Sequence, residues 1–585
     1  MIKATINNIE VEVPDGTSIL WAAKKAYINI PTLCFHPDLK PGGQCGVCAV
    51  EIEGIPGLKR SCMTPIGEGW KVRTHTPKVM AARKQLVEMI LANHDSDCLT
   101  CIKNNSCELQ SLAATLGIDI VEYAKLEEKL PIDRSSVSIV RDPNKCILCG
   151  RCIQVCSNVQ TVNALAVNDR GYDTVIGTAF SAGLGNSVCI NCGQCVVHCP
   201  VGALYENSSV EAVWEALHDP DKFVVVQEAP AVRAMLGEEF GMPPGSLVTG
   251  KMYAALRRLG FDAVMDTNFS ADLTILEEGT ELVSRLTSGK NLPLITSCSP
   301  GWIKFMETFF HDMIPNMSTA KSPQQMFGAL AKTYYAQIKG IAPEKIVSVS
   351  VMPCTAKKFE CLRPEMNASG YRDVDYVLTT REIGRMIREA GLDLKEMPEE
   401  QADDIMGEYT GAGTIFGATG GVMEAAIRSA YFLVTGRELE NLDVQPVRGL
   451  KGTKEAEIDI EGTKIKVAVA HSGGQARALL EKVQKQMATE GKCEYQFIEV
   501  MACPGGCVGG GGQSWGSNMA KRARRGEALY AEDKSLSHRR SHENQSVNAL
   551  YEKFLEKPNS EKAHKLLHTH YYKRSPVDGK IISEK

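Results

Sequence analysis

CILCGRCIQVC at residues 146–156 and CINCGQCVVHCP at residues 189–200 space their cysteines by the same gaps, C-x2-C-x2-C-x3-C. Such short gaps converge three thiols on one point, the arrangement that holds an iron–sulfur cube. In paired runs of this kind the fourth cysteine of each serves the other cluster. One [4Fe–4S] set is therefore expected from Cys146, Cys149, Cys152 and Cys199, and a second from Cys189, Cys192, Cys195 and Cys156. Residues 138–207 then fold as one unit of two similar halves, the internal repeat of the sequence.

Upstream, further thiols are grouped. Of the 21 cysteines in 585 residues, fifteen lie before residue 200. Cys34, Cys45, Cys48 and Cys62 follow C-x10-C-x2-C-x13-C within residues 1–78, where IKATINNIEVEV and CAVEIEG alternate like strands around one short helix near Ser18–Ala26. Four thiolates on a loop of a β-grasp-like unit suit a [2Fe–2S] cluster, and Gly42, Gly43 and Gly46 let backbone N–H groups approach its sulfurs. Zinc is the plainer alternative for C-x2-C pairs. His94, Cys98, Cys101 and Cys107 follow the helical stretch MAARKQLVEMILANH within residues 79–137. Alone, this set reads equally as structural zinc; its place between other clusters favours a His-ligated [4Fe–4S].

Composition sets the outer bounds. A hydrophobic share of 44% with 23% charged residues is that of a globular protein, and the net charge of −5 gives no reason to expect nucleic acid or an anionic membrane. The basic run Lys521–Arg525 reads as helix decoration. No apolar stretch reaches membrane-spanning length and no signal-peptide core is present, so a cytoplasmic location is expected. In that reducing compartment clustered cysteines signal metal, not disulfides.

Downstream of about residue 208 the chain alternates strand-like runs (VVVQEAP, AVMDTN, LPLITSC, IVSVSVMPC, KVAVAHS) with helical segments. That pattern predicts a large α/β domain of mostly parallel sheets over 208–526, followed by a helical wrapping tail over 527–585. Several of these strands run into a cysteine or proline at the carboxyl end, where open α/β sheets place their sites. Cys298, Cys354, Cys503 and Cys507 stand in ITSCSPGW (295–302), VMPCTAKK (351–358) and EVMACPGGCVGGGGQ (499–513), and the glycine run implies backbone packed around something bulky. Cys361 and Cys493 lack such context and read as inert buried thiols. GAGTIFGATGG (411–421) lacks G-x-G-x-x-G spacing, so any dinucleotide must bind elsewhere.

These three segments resemble the signature motifs of [FeFe]-hydrogenases, TSCCPxW, MPCxxKxxE and ExMxCxxGCxxGG, and the resemblance spans essentially the whole chain. It implies an H-cluster, a [4Fe–4S] cube joined to a di-iron unit carrying CO, CN− and a dithiolate amine. By that resemblance Cys354, Cys503 and Cys507 hold the cube, with Cys507 as the bridge. Lys357 and Gln324 would donate to the di-iron ligands, and Ala229, Pro230, Met352, Phe416 and Met501 would wall them from water. The family's proton relay maps onto Cys298, Glu278, Ser318, Glu281 and Arg285, with both glutamates on one helix face in TILEEGTELVSR. The expected reaction is reversible conversion of protons and electrons to H2.

One position departs from the pattern. Ser299 stands where the family has its second adjacent cysteine, a cube ligand. Serine ligation, a shift that makes Cys298 the ligand, and a cube on three cysteines all remain open. The electron partner is also open. The layout resembles both a ferredoxin-served single chain and the hydrogen-converting subunit of NAD(P)-linked complexes with flavin-binding partners, and the latter is favoured. An iron–sulfur relay subunit without hydrogen chemistry is the alternative, but it would lack the three downstream motifs.

Overall fold

The computed structural model describes residues 1–124, 129–460 and 462–582, so residues 125–128 of the expected 79–137 segment and 583–585 of the expected tail lie outside it. At the amino end, alternation of apolar and polar residues builds a five-stranded mixed sheet. Its order is Ile9–Val13, Ile2–Ile6, Lys71–Arg73, Ala49–Ile52, Ile55–Arg60. Ile2–Ile6 pairs in parallel with Lys71–Arg73, which the helix Ile19–Lys25 and the cysteine loop make room for. Helix Pro77–Ala92 starts on the Thr76 side-chain cap with proline at its first turn. It is pinned to the sheet by buried Arg83, whose guanidinium donates to the carbonyls of Val47 (3.1 Å) and Ala49 (2.6 Å).

The two-cluster unit closes on a two-stranded antiparallel pair, Ile139–Arg141 with Leu204–Glu206, and carries the short helices Arg151–Gln154 and Gln194–His198. Beyond it stand two four-stranded sheets. Strands Ala263–Asp266, Phe223–Glu228, Ile346–Met352 and Tyr376–Thr379 pair in that order, all parallel. Leu294–Ile295, Phe497–Met501, Thr463–His471 and Thr453–Ile460 form the second sheet, in which only the last pairing is antiparallel. Helix Thr267–Ser288, buried along its first three turns, packs against helices Gly421–Thr435 and Pro323–Leu330.

The mostly parallel sheets, the β-grasp-like unit, the two-cluster unit and the helical carboxyl end therefore match the expected fold class. Details differ. The run LPLITSC contributes a strand of two residues, although Thr296 still donates to Ile498 O at 3.0 Å and keeps the chain extended toward Cys298. Helix Met519–Ser535 runs through residues 526 and 527, so the tail begins with a whole helix. The basic run within it decorates the surface only in part, with Arg524 exposed. Arg522 meets Asp38 at 2.9 Å and Arg525 meets Glu238 at 2.6 Å, both guanidinium groups buried, because this helix is sandwiched between two units.

Candidate active site and its ligand sets

The thiols of the amino-terminal unit meet in pairs, Cys34 with Cys45 at 3.4 Å and Cys48 with Cys62 at 3.3 Å. In each pair one thiol hydrogen-bonds its neighbour, which pulls Cys34 down to about 5 and Cys48 down to about 6. Two close pairs suit two irons sharing four thiolates better than one tetrahedral zinc. Gly43 holds φ +62°, and a Cβ there would lie 2.8 Å from Met63 Cγ, so the loop closes only with glycine.

His94 follows the end of helix Pro77–Ala92, and Cys107 caps helix Glu108–Thr115. His94 is held below the ordinary imidazole range, at about 4, by burial first and by Lys145 second. Its Nδ1 has no hydrogen-bond partner among the described residues. A neutral imidazole with an unspent nitrogen has the chemistry of a metal ligand.

In the two-cluster unit, a cavity of about 410 Å³ is lined by Cys146, Cys149, Cys152 and Cys199. A second, of about 360 Å³, is lined by Cys156, Cys189, Cys192 and Cys195. The peripheral sets do not lead into this unit one after the other. Both pack on its first half. A Cβ on Gly150 would lie 2.8 Å from Gln44 of the amino-terminal loop, and one on Gly202 would lie 2.6 Å from Cys101 Sγ. Arg151 ties all three together, donating to Phe35 O at 2.7 Å and to Glu108 at 2.7 Å.

A cavity of about 790 Å³ opens where strand ends converge: Ala229 and Pro230 after Phe223–Glu228, Met352 to Cys354 at the end of Ile346–Met352, Cys298 and Ser299 after Leu294–Ile295, and Cys503 after Phe497–Met501. Cys507, Lys357, Gln324 and Phe416 complete its walls, and Cys192 of the second small cavity also reaches it. Backbone is packed to the limit on this side. A Cβ on Gly511 would fall 2.3 Å from Cys192 O, and one on Gly510 would fall 2.1 Å from Pro353 O. The units are also bonded here, Gln194 Nε2 to Gly509 O at 2.8 Å and Gln160 Nε2 to Ala502 O at 2.9 Å.

Burial raises the thiols of Cys354, Cys503 and Cys507, and neighbouring thiols raise Cys503 and Cys507 further. Such a set ionises together only around positive metal charge. A cavity of this size in a close-packed interior, apolar apart from its thiols and a few donors, fits the H-cluster implied by the motifs. Lys357 Nζ donates to Glu360 Oε2 at 2.8 Å and to Cys298 O at 3.3 Å. Glu360 also accepts from Gln324 Nε2 (3.1 Å) and Ser322 Oγ (3.0 Å). Glu360 is thus the buried hinge of the donor set. Sequence reasoning missed it, although it stands three residues after Lys357 in the same motif.

Cys298 and Ser299 diverge. Burial lifts the Cys298 thiol, and Glu278 and Cys507 lift it further. Ser299 Oγ instead accepts from Ala502 N at 3.3 Å, beside Cys503. Glu278 is buried in helix Thr267–Ser288, and desolvation, opposed by a hydrogen bond from Ser318, pushes its carboxyl up to about 8. Ser318 Oγ in turn donates to Glu281 Oε2 at 3.2 Å, and Arg285 clasps Glu281 Oε1 at 2.5 Å. Cys298, Glu278, Ser318, Glu281 and Arg285 therefore lie in order from the cavity toward the surface. Cys361 and Cys493 belong to no ligand set; Cys361 Sγ bonds to Lys358 O and Cys493 lies against Gln486.

Cysteines grouped at four sites and an apolar, thiol-lined cavity with buried Glu278 beside it have the make-up of an iron–sulfur oxidoreductase. Residues 222–511 match the family model of the iron-only hydrogenase large subunit, C-terminal domain, and 519–574 that of the iron hydrogenase small subunit. Upstream, residues 1–77 match a 2Fe-2S cluster binding domain, 83–122 the NADH-ubiquinone oxidoreductase-G iron–sulfur binding region, and 145–203 a 4Fe-4S dicluster domain. The chain is 49% identical to the NADP-reducing hydrogenase subunit HndD of Solidesulfovibrio fructosivorans, over 98% of this chain and 99% of that one. It is 41% identical to iron hydrogenase 1 of Clostridium pasteurianum, over 97% and 99%. The apo [FeFe]-hydrogenase HydA1 structure from Chlamydomonas reinhardtii superposes with a TM-score of 0.56 at 43% identity, covering 64% of this chain and all of that one. The chain belongs to the [FeFe]-hydrogenases, oxidoreductases acting on H2, and its cofactors are a [2Fe–2S] cluster, accessory [4Fe–4S] clusters and an H-cluster.

Proposed function

We propose that this chain is the hydrogen-converting subunit of a cytoplasmic NAD(P)-linked complex, with Cys354, Cys503 and Cys507 holding the cube of the H-cluster and Ser299 standing at its fourth position. When bound, that cofactor supplies the site at which protons, electrons and H2 interconvert. The protein supplies the surroundings. Ala229, Pro230, Met352, Phe416 and Met501 exclude water, and Lys357 and Gln324, both fixed by Glu360, present donors in a low-dielectric wall. Cys298 delivers the proton at the cavity, taking it from Glu278, which keeps its own proton at neutral pH and so acts as an acid. Cys192 brings the nearest accessory cluster to the cavity wall, so electrons need no other passage.

The observation that supports this reading is one cavity lined by Cys354, Cys503 and Cys507, with Cys298 on its wall and buried Glu278 beside it. A complex is supported by the similarity to HndD along the full length. Matured with its assembly factors, the purified chain should show infrared bands of CO and CN−, take up H2 with a viologen dye, and leave NADP+ unreduced until a flavin-binding partner is added. Absence of both bands and uptake would overturn the hydrogenase chemistry; direct NADP+ reduction by the lone chain, or uptake coupled only to ferredoxin, would overturn the complex.

A further inference from the structure

We infer that the carboxyl-terminal tail positions the proton relay, with the Tyr571 hydroxyl holding Ser318 in the geometry that joins Glu278 to Glu281. The inference rests on the reading of Ser318 as the hydroxyl between those two carboxyls.

Residues 317–321 form no helix or full strand, so neighbouring segments decide where they lie. On one flank Met317 bridges in parallel to Ile295, and Ser318 N donates to Ile295 O at 2.8 Å. On the other flank the tail runs antiparallel, with a bridge between Ala320 and His568. Lys321 N donates to Leu567 O at 2.8 Å, and Thr569 N donates to Thr319 O at 2.8 Å. Tyr571 extends this pairing with its side chain, its hydroxyl donating to Ser318 O at 2.5 Å. The tail is itself fixed on both sides of Tyr571. His568 Nε2 meets buried Glu277 Oε2 at 3.0 Å, and Glu307 accepts from Tyr572 N at 3.0 Å and from Arg574 Nε at 2.6 Å.

Ser318 is wholly buried, so its carbonyl requires a donor, and the Tyr571 hydroxyl is that donor. Burial raises the Tyr571 phenol, which therefore keeps the hydrogen it donates. The side chain of Ser318 has little slack. Its Oγ lies 3.2 Å from Glu281 Oε2, beyond the roughly 2.5–3.0 Å usual for O–H···O bonds, and it must stay within reach of Glu278 as well. A carbonyl released from Tyr571 would turn toward another donor and carry Oγ away from one carboxyl or the other. Ser297, the neighbour of Cys298, steadies the same segment by donating Oγ to Ala320 O at 2.6 Å. Tyr571 and Ser297 line one small cavity, so the tail closes over the segments that carry Cys298 and Ser318.

The test uses the fully matured protein, assayed with a viologen dye for H2 oxidation and evolution. Tyr571→Phe keeps the ring and removes only the hydroxyl. It should lower kcat about three- to tenfold, the effect of one buried hydrogen bond, and leave the KM for H2, the iron per chain and the CO and CN− bands unchanged. In a Ser318→Ala background, where no hydroxyl remains to be placed, Tyr571→Phe should cost nothing further. A second readout needs no turnover: the infrared carboxyl stretch that Glu278→Gln removes should shift in Tyr571→Phe. Wild-type kcat in Tyr571→Phe overturns the inference. So does an equal loss with and without Ser318, which would route the effect through Ser297, or a lowered kcat with an unmoved carboxyl stretch. Loss of iron or of the bands in Tyr571→Phe would make the hydroxyl a determinant of the fold and overturn it too. If Glu278→Gln and Ser318→Ala lose turnover while Tyr571→Phe does not, the relay stands without the tail. Normal turnover of Glu278→Gln and Ser318→Ala removes the relay and this inference together.

Discussion

Two neighbouring side chains, Cys298 and Ser299, line the same cavity but face different groups. One faces Glu278 and Cys507; the other accepts from Ala502 N beside Cys503. A hydroxyl is a harder donor than a thiolate, and cubes favour soft sulfur, so Ser299 should bind iron weakly and alter the cube's potential. Cys298→Ala is expected to keep the iron content and the cube's paramagnetic signal while turnover falls by about 10² or more, as when a general acid is removed. Ser299→Cys should keep turnover and move the cube's reduction potential, read by redox titration under electron paramagnetic resonance. A Cys298→Ala protein that loses the cube's irons would reverse the two roles. The sequence alone could pose this division but not settle it, because adjacency in the chain says nothing about which way two consecutive side chains turn.

Elements here are placed by glycine as much as by apolar pattern. The cysteine spacings and the alternation of strands with helices are local signals, and they made the two-cluster unit, the β-grasp-like unit and the parallel sheets legible. The antiparallel edge strand Thr453–Ile460 was not, although its partner Thr463–His471 follows it directly in sequence, and the strand read in LPLITSC shortens to Leu294–Ile295, whose extent depends on a partner distant in sequence. The loop carrying Cys192 meets the glycine run after Cys507 so closely that a Cβ on Gly193 would lie 2.4 Å from Thr355 Oγ1 and 3.0 Å from Gly511 Cα. Gly193 also holds φ +68°, which a side chain strains further. Gly193→Ala should destabilise the protein by about 1–3 kcal/mol, the range for overpacking, and slow electron passage between the accessory clusters and the cavity. Gly526 provides the contrast, lying inside helix Met519–Ser535 where an added methyl would meet nothing within 4 Å. There alanine should stabilise by about 0.5–1 kcal/mol through backbone entropy. Thermal midpoints of the two variants, with iron counted per chain, decide whether contact geometry or helix propensity governs each site.

Across the whole molecule the ligand sets follow chain order but electron flow does not. Both peripheral sets pack on the half of the two-cluster unit lined by Cys146, Cys149, Cys152 and Cys199, whereas Cys156, Cys189, Cys192 and Cys195 line the half whose Cys192 reaches the large cavity. The arrangement is a fork with one stem, and Cys199 belongs to the stem although it lies beside Pro200 at the end of the second run. Under H2, electrons generated at the cavity should reduce the inner accessory cluster first and the outer ones through the stem. Cys48→Ala removes only the [2Fe–2S] prong, so the cluster at His94, Cys98, Cys101 and Cys107 should still become reduced by H2. Cys199→Ala should lower iron by about four per chain, the content of one cube, and leave both prongs oxidised under H2 while the inner cluster is reduced. Freeze-quenched paramagnetic resonance separates these cases, because a [2Fe–2S] signal differs from those of cubes. Reduction of the [2Fe–2S] cluster by H2 in Cys199→Ala at the wild-type rate would require a path that bypasses the stem and would overturn the fork.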